Sequence, residues 1–164
     1  MTQKLCLNVG CGCRTYDFYP TNECKCINFD VRSDLKEVDE VGDVRDLSRF
    51  KDETFQYMLA SDILEHMPIA ETANILTEWR RVLEIGGILE VRVPDLETIC
   101  NEYLRHRDAK LTSWLIMGGQ DYPGNDHFVI FDRVWLKSIM VNAGFKEISC
   151  NSEGNNFVMK VQKV

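Results

Sequence analysis

Two short stretches bring together residue types that can do chemistry. LNVGCG (7–12) ends an apolar run in a glycine loop, and INFD (27–30) ends the next apolar run in an acid, Asp30. Gly10 and Gly12 let backbone N–H groups come close to a ligand, and a carboxylate 18 residues beyond Gly12 can accept both hydroxyls of a ribose. The combination points to a nucleoside-containing cofactor. Any tight strand-to-loop turn also uses glycine, so a purely structural turn fits the same residues.

A third stretch, GGQDYPGNDH (118–127), is too polar for a core and rich in turn residues. Its Asp121, Tyr122, Asn125, Asp126 and His127 could recognise a hydroxylated substrate, with His127 taking a proton from the acceptor hydroxyl. A hydrogen-bonded structural loop is the competing reading. His66 follows Leu64-Glu65 at a helix entrance, where it either caps and packs or takes part in the chemistry; the same choice holds for Glu65. His106, in LRHRD, reads as a solvated residue. Cys11, Cys13, Cys24 and Cys26 form two C-x-C pairs, but structural zinc sites favour wider spacing and Cys11 belongs to the glycine loop, so no metal site is expected. The seven cysteines, an odd number, read as reduced thiols.

The elements that must position these groups alternate between apolar runs and helical periodicity, the pattern of a parallel sheet with crossover helices. Strands are expected at 4–9, 26–30, near 40–43, at 55–61 and at 87–93. Pro68 opens a helix on which Ile69, Ala73, Leu76, Trp79 and Leu83 recur at helical spacing, with Gly86-Gly87 as its stop. Further helices are expected from Asp95 as N-cap and from Asp132 to Gly144. FKEISC (145–150) and NFVMKVQKV (156–164), separated by turn residues, read as an antiparallel pair closing one edge.

With 164 residues, 45% of them hydrophobic, the chain reads as one domain over 1–164 with one core. A net charge of −7 argues against nucleic acid or an anionic membrane as the main partner, because phosphate binding needs clustered Lys and Arg. The N-terminus MTQKLCLNVG lacks a basic region followed by an apolar stretch, so a cytoplasmic location is expected.

In order and spacing, LNVGCG, INFD, GDVRDL, DETFQYMLASDILEHMP, EWRRVLEIGGILEVRVPDL and GGQDYPGNDHF resemble the small class I S-adenosylmethionine-dependent methyltransferases. The likeness covers nearly the whole chain and looks closest to the type-11-like, glycan-associated group. It implies a Rossmann-like α/β sheet, mostly parallel with an antiparallel C-terminal hairpin, and S-adenosylmethionine as cofactor. By position, it implies that Gly10, Cys11 and Gly12 run along the methionine part, that Asn8 stands where the family often has an acid, and that Asp30 holds the ribose. Val31, Asp43 and Val44 would bound the adenine, and Ser61 and Asp62 would lie near the sulfonium. His127, His66 and Asp121 are the catalytic candidates, and 98–128 is the expected acceptor or lid segment.

Two departures carry structural expectations. Only 14 residues, 13–26, separate the glycine loop from the second strand, and they include Pro20, so the first crossover helix should be shortened or lost. Glu90 and Arg92 alternate with Leu89, Val91 and Val93, where a strand covered on both faces should be continuously apolar. One sheet face should therefore be partly bare, and a second copy of the chain is expected to complete this face or the segment 98–128. Three functions compete: methyl transfer to a small hydroxylated, sugar-like acceptor; a cofactor-binding but non-catalytic partner subunit; and a nicotinamide-dependent oxidoreductase, which the missing third glycine of GCGCRT disfavours.

Overall fold

The computed structural model describes residues 4–13 and 24–164. The elements, in chain order, are β1 (Lys4–Val9), β2 (Cys24–Asp30), β3 (Glu40–Val41), β4 (Phe55–Ser61), α1 (Ile69–Val82), β5 (Leu83–Pro94), α2 (Leu96–His106), α3 (Ala109–Met117), α4 (Arg133–Asn142), β6 (Phe145–Glu153) and β7 (Asn156–Lys163). A single 3-10 turn, Leu64–His66, precedes α1. The strands form one sheet in the order β3-β2-β1-β4-β5-β7-β6. The first five are parallel, and β7 runs antiparallel to both β5 and β6. This is the Rossmann-like sheet with a C-terminal hairpin that the sequence implied.

Strand order reverses between β1 and β4, which are hydrogen-bonded neighbours (Val9 opposite Ala60) although β2 and β3 lie between them in the chain. Such a reversal opens a crevice beyond the carboxyl ends of the two strands, since their following loops depart in opposite directions. The glycine loop leaves β1 at that point and Ser61-Asp62 leaves β4 beside it.

The main core lies on one face of the sheet, where Leu7, Val9, Met58, Ala60, Leu89, Val91 and Met159 meet Ile75, Leu76 and Trp79 of α1 and Leu136 and Met140 of α4. On the other face the described residues bury only Cys6, Tyr57 and Leu59 as a cluster. Glu90 on that face accepts from the Tyr57 hydroxyl and pairs with Lys160 at 2.8 Å. The expectation of a shortened crossover helix falls on 14–23, outside the described residues.

Two expectations are corrected. Helix α1 ends at Val82, not at Gly86-Gly87, and both glycines lie inside β5. The fully buried Leu83 sits opposite Phe55 in the sheet, and its burial there overrides helical continuation. The expected acceptor or lid segment, 98–128, is made of most of α2, the helix α3 and the loop after it; Asp108 starts α3 by accepting from the Leu111 N–H (2.9 Å). The thiols are not all reduced, because Cys6 and Cys24 form a disulfide. Parallel register puts Cys6 opposite Cys26, so Cys24 lies on the same face one step away, at a Cα separation of 6.2 Å that a disulfide spans. No helix among the described residues is long and apolar enough to cross a membrane.

Candidate active site

The glycine loop is pinned to β2 by its own backbone. Gly10 and Cys11 N–H groups both donate to the Phe29 carbonyl (2.8 and 3.2 Å), and the Gly12 N–H donates to Asp30 Oδ2 (2.8 Å). Gly10 needs its missing side chain: at φ +66° a Cβ would lie 2.6 Å from Ile63. Gly12, at φ +54°, has nothing among the described residues within 4 Å of where a Cβ would stand. The other oxygen of Asp30 accepts from the Arg32 N–H (2.9 Å). Each oxygen keeps a lone pair for a further donor, so the carboxylate is oriented but not saturated.

A cavity of about 460 Å³ begins at this loop. Asn8, Gly10, Cys11, Gly12, Ser61 and Asp62 line it on the strand-end side. Trp114, Tyr122, Asn125 and His127 close the side opposite, and Glu65 and His66 lie in its wall. The cavity therefore joins the expected cofactor loop to the expected acceptor segment. Burial holds the Cys11 thiol up at about 12, with the neighbouring Asp30 charge adding to the effect. Its role there is contact, not nucleophilic attack.

Some predicted site residues lie outside the cavity wall, Asp30 directly behind Gly12. Asp30, Val31, Asp43 and Val44 do not line the cavity. Val31 is exposed, and Asp43 is clamped by Arg45, whose Nε and backbone N–H both donate to it and hold its carboxyl below the usual range. Asp121 is held by the Asn125 amide and does not line the cavity either, whereas its neighbours Tyr122 and Asn125 do. His106 pairs with Glu102 on the surface of α2.

Asp62 adopts a left-handed backbone (φ 54°) unusual for a side-chain-bearing residue. Its carboxylate accepts from Ser61 Oγ (2.9 Å), from Asn156 Nδ2 (2.6 Å) and from Arg92. This network fixes the turn after β4 and so the approach of the 3-10 turn that follows.

That turn carries the feature sequence reasoning missed. The loop 118–128 folds back on it: the Phe128 N–H donates to the Glu65 carbonyl (2.9 Å) and the His127 N–H to the Met117 carbonyl (3.0 Å). The rings of His66 and His127 meet edge to face, centroids 4.7 Å apart. Each ring is oriented by a main-chain carbonyl, His66 Nδ1 on Asp126 (3.0 Å) and His127 Nδ1 on Leu115 (3.1 Å). A carbonyl only accepts, so in each ring Nδ1 carries the hydrogen and, in the neutral form, Nε2 is left basic. Burial favours that neutral form in both, and in His127 the nearby His66 adds to it. Glu65 between them is fully buried, with neither carboxylate oxygen hydrogen-bonded among the described residues. Burial, with Asp62 nearby, pushes its carboxyl well above the usual range. The sequence showed Glu65 and His66 side by side; nothing in it placed His127 against them, 61 residues away.

Residues 7–91, more than half of the 164, match the methyltransferase domain family. No curated protein sequence matches the chain. Among solved structures, the chain is similar to a SAM-dependent methyltransferase of Methanosarcina mazei, with a TM-score of 0.73 and 18% identity over 99% of this chain and 93% of that one. It is also similar to the 1,6-didemethyltoxoflavin-N1-methyltransferase of Burkholderia thailandensis, solved with 1,6-didemethyltoxoflavin and S-adenosylhomocysteine, with a TM-score of 0.71 and 15% identity over 99% and 72% of the two chains. A SAM-dependent methyltransferase of Archaeoglobus fulgidus gives 0.66 and 14%, over 98% and 86%. These likenesses are of fold, and the fold, the glycine loop at the strand reversal and the match over β1 to β5 agree: the chain belongs to the methyltransferase domain family and takes S-adenosylmethionine as its cofactor.

Proposed function

We infer that the chain transfers the methyl group of S-adenosylmethionine to a small hydroxylated acceptor, a sugar or glycan precursor, bound between the strand ends and the 98–128 segment. The observation that carries this is the continuity of one cavity from the glycine loop to the polar wall of Tyr122, Asn125 and His127. The donor set suits the cofactor: nothing among the described residues stands within 4 Å of a Cβ position at Gly12, and Asp30 retains accepting capacity for ribose hydroxyls. Bound, the cofactor supplies a methyl carbon on a sulfonium, open to in-line displacement by an acceptor oxygen.

The residues of this chain then have three tasks. Gly10, Cys11 and Gly12, with Asn8, hold the donor by shape and main-chain contact. Asp30 fixes the ribose, and Val31, Asp43 and Val44 would border the base. Ser61 and Asp62 border the reacting end. Trp114, Tyr122 and Asn125 hold the acceptor, and alignment of its oxygen with the methyl carbon supplies most of the rate. The basic Nε2 atoms of His127 and His66 serve the removal of the acceptor's proton; Asp121 acts only through Asn125.

The partners in this reading are a small molecule or glycan, without nucleic acid or membrane, in the cytoplasm, and a second copy of the chain over the sheet face that carries Tyr57 and Glu90 or over the segment 98–128. Sedimentation showing a fully active monomer removes the second copy. The methyl transfer is tested by incubating the protein with S-adenosylmethionine and a panel of sugars and glycan precursors, following S-adenosylhomocysteine by mass spectrometry. Turnover on hydroxylated acceptors is expected. Cofactor binding with no turnover across the panel would instead favour a non-catalytic partner subunit.

A further inference from the structure

The mutual placement of Glu65, His66 and His127 exceeds what proton transfer alone requires. One ligand-type atom from each lies within 4.8 Å of the other two. Two imidazoles and one carboxylate converge on the wall of the cavity, and their chain positions require both the 3-10 turn and the tether of Phe128 to Glu65. We propose that Glu65, His66 and His127 form a binding site for a divalent transition-metal cation at the acceptor end of the cavity.

Two observations support this beside that convergence. A fully buried carboxyl group whose two oxygens are both without hydrogen-bond partners among the described residues is costly even when protonated, and a cation facing it would satisfy them. Both histidines spend Nδ1 on a main-chain carbonyl, the arrangement that orients a metal-binding imidazole and leaves Nε2 to the ion. The ligand atoms, now within 4.8 Å of one another, need to close to roughly 3–3.5 Å to surround an ion at about 2.1 Å from each. Two imidazoles with one carboxylate suit manganese, iron, cobalt, nickel or zinc, whereas magnesium and calcium prefer all-oxygen sites. The thiols take no part, since none lies in the group.

The role of the ion rests on the methyltransferase reading above; its binding does not. Three protein ligands leave positions open toward the cavity, where an acceptor hydroxyl can be held and made more acidic. Its proton leaves to solvent through the cavity mouth, the oxygen lone pair forms the bond to the methyl carbon, and the carbon–sulfur electron pair remains on sulfur as the thioether. With both Nε2 atoms engaged by the ion, the ion acidifies the acceptor in place of proton abstraction by His127 and His66, and the acceptors singled out are hydroxyl compounds able to chelate.

The test uses the full chain, stripped of metal with a chelator and free of any histidine tag, titrated with Co2+. One cobalt ion per chain is expected, with visible ligand-field bands and no sulfur-to-cobalt charge-transfer band. Glu65→Gln and His66→Ala should each weaken binding at least roughly 100-fold, since even changes one shell further out commonly cost 10–100-fold. S-adenosylhomocysteine titration of the same variants, expected within about threefold of wild type, reports that they fold; if Glu65→Gln does not, His66→Ala at its half-buried position decides. No cobalt uptake by the wild type, a thiolate band, or unchanged affinity in the folded variants overturns the proposal. Cobalt binding by a protein that does not bind S-adenosylhomocysteine would uphold the ion site and refute the function it rests on.

Discussion

On the donor side of the cavity, the groups that face a ligand are main-chain atoms of residues 10–12, held by the Phe29 carbonyl and the Asp30 carboxylate. On the acceptor side they are side chains of Glu65, His66, Trp114 and His127, drawn from a 3-10 turn, a helix and a loop. The first is built at fixed offsets along one strand–loop–strand path. The second exists only because 118–128 folds back onto the turn after β4. A main-chain site tolerates many side chains but few backbone changes, whereas a side-chain site is lost with any one of its members.

The largest expected effect breaks the donor side at its tightest point. Gly10→Ala would push a Cβ into Ile63 in a left-handed backbone, so a loss of about 2–4 kcal/mol of stability is expected, read as a lowered thermal midpoint together with lost cofactor binding. Gly12→Ala sharpens the point: the same backbone region with no clash should cost only about 1–2 kcal/mol. The acceptor side has its own weak point in Gly118, at φ +81°, where a Cβ would lie 2.2 Å from the Asn125 carbonyl and 3.0 Å from the His127 nitrogen. Gly118→Ala should displace His127 and abolish turnover while S-adenosylhomocysteine binding stays within about threefold. Equal loss of both would mean that the two sides are one cooperative unit.

The smallest effects concern the thiols. Five thiols should react under denaturing, non-reducing conditions and seven after reduction of the Cys6–Cys24 bond. In the native protein, Cys11, buried and with its thiol raised to about 12, should alkylate far more slowly at pH 8 than exposed Cys13, and bound cofactor should leave that order intact. Peptide mapping by mass spectrometry reads both.

What the sequence made legible follows the same division. LNVGCG and INFD announced the donor side because strand, turn glycine and terminal acid are neighbours in the chain, and parallel strands bring their ends together automatically. The hairpin at 145–163 was legible from its turn residues. The end of α1 was not, because Leu83 is decided by burial against Phe55, a partner far away in the chain. Neither was the Cys6–Cys24 bond, which needs the register of β1 on β2. His66, Glu65 and His127 were each visible as reactive types, yet their meeting depends on hydrogen bonds from residues 127 and 128 to Met117 and Glu65 that no periodicity encodes. Asp121 was singled out with them and stands outside the cavity, since its short side chain turns to Asn125.

Isothermal titration of S-adenosylhomocysteine into wild type and Asp30→Ala tests the central claim most directly, with circular dichroism to confirm folding. Saturable binding by the wild type and a fall of roughly 10- to 100-fold in the variant are predicted, the range expected for losing hydrogen bonds to a carboxylate. Equal affinity in the two proteins, or no heat in either, would contradict a cofactor held between the glycine loop and Asp30.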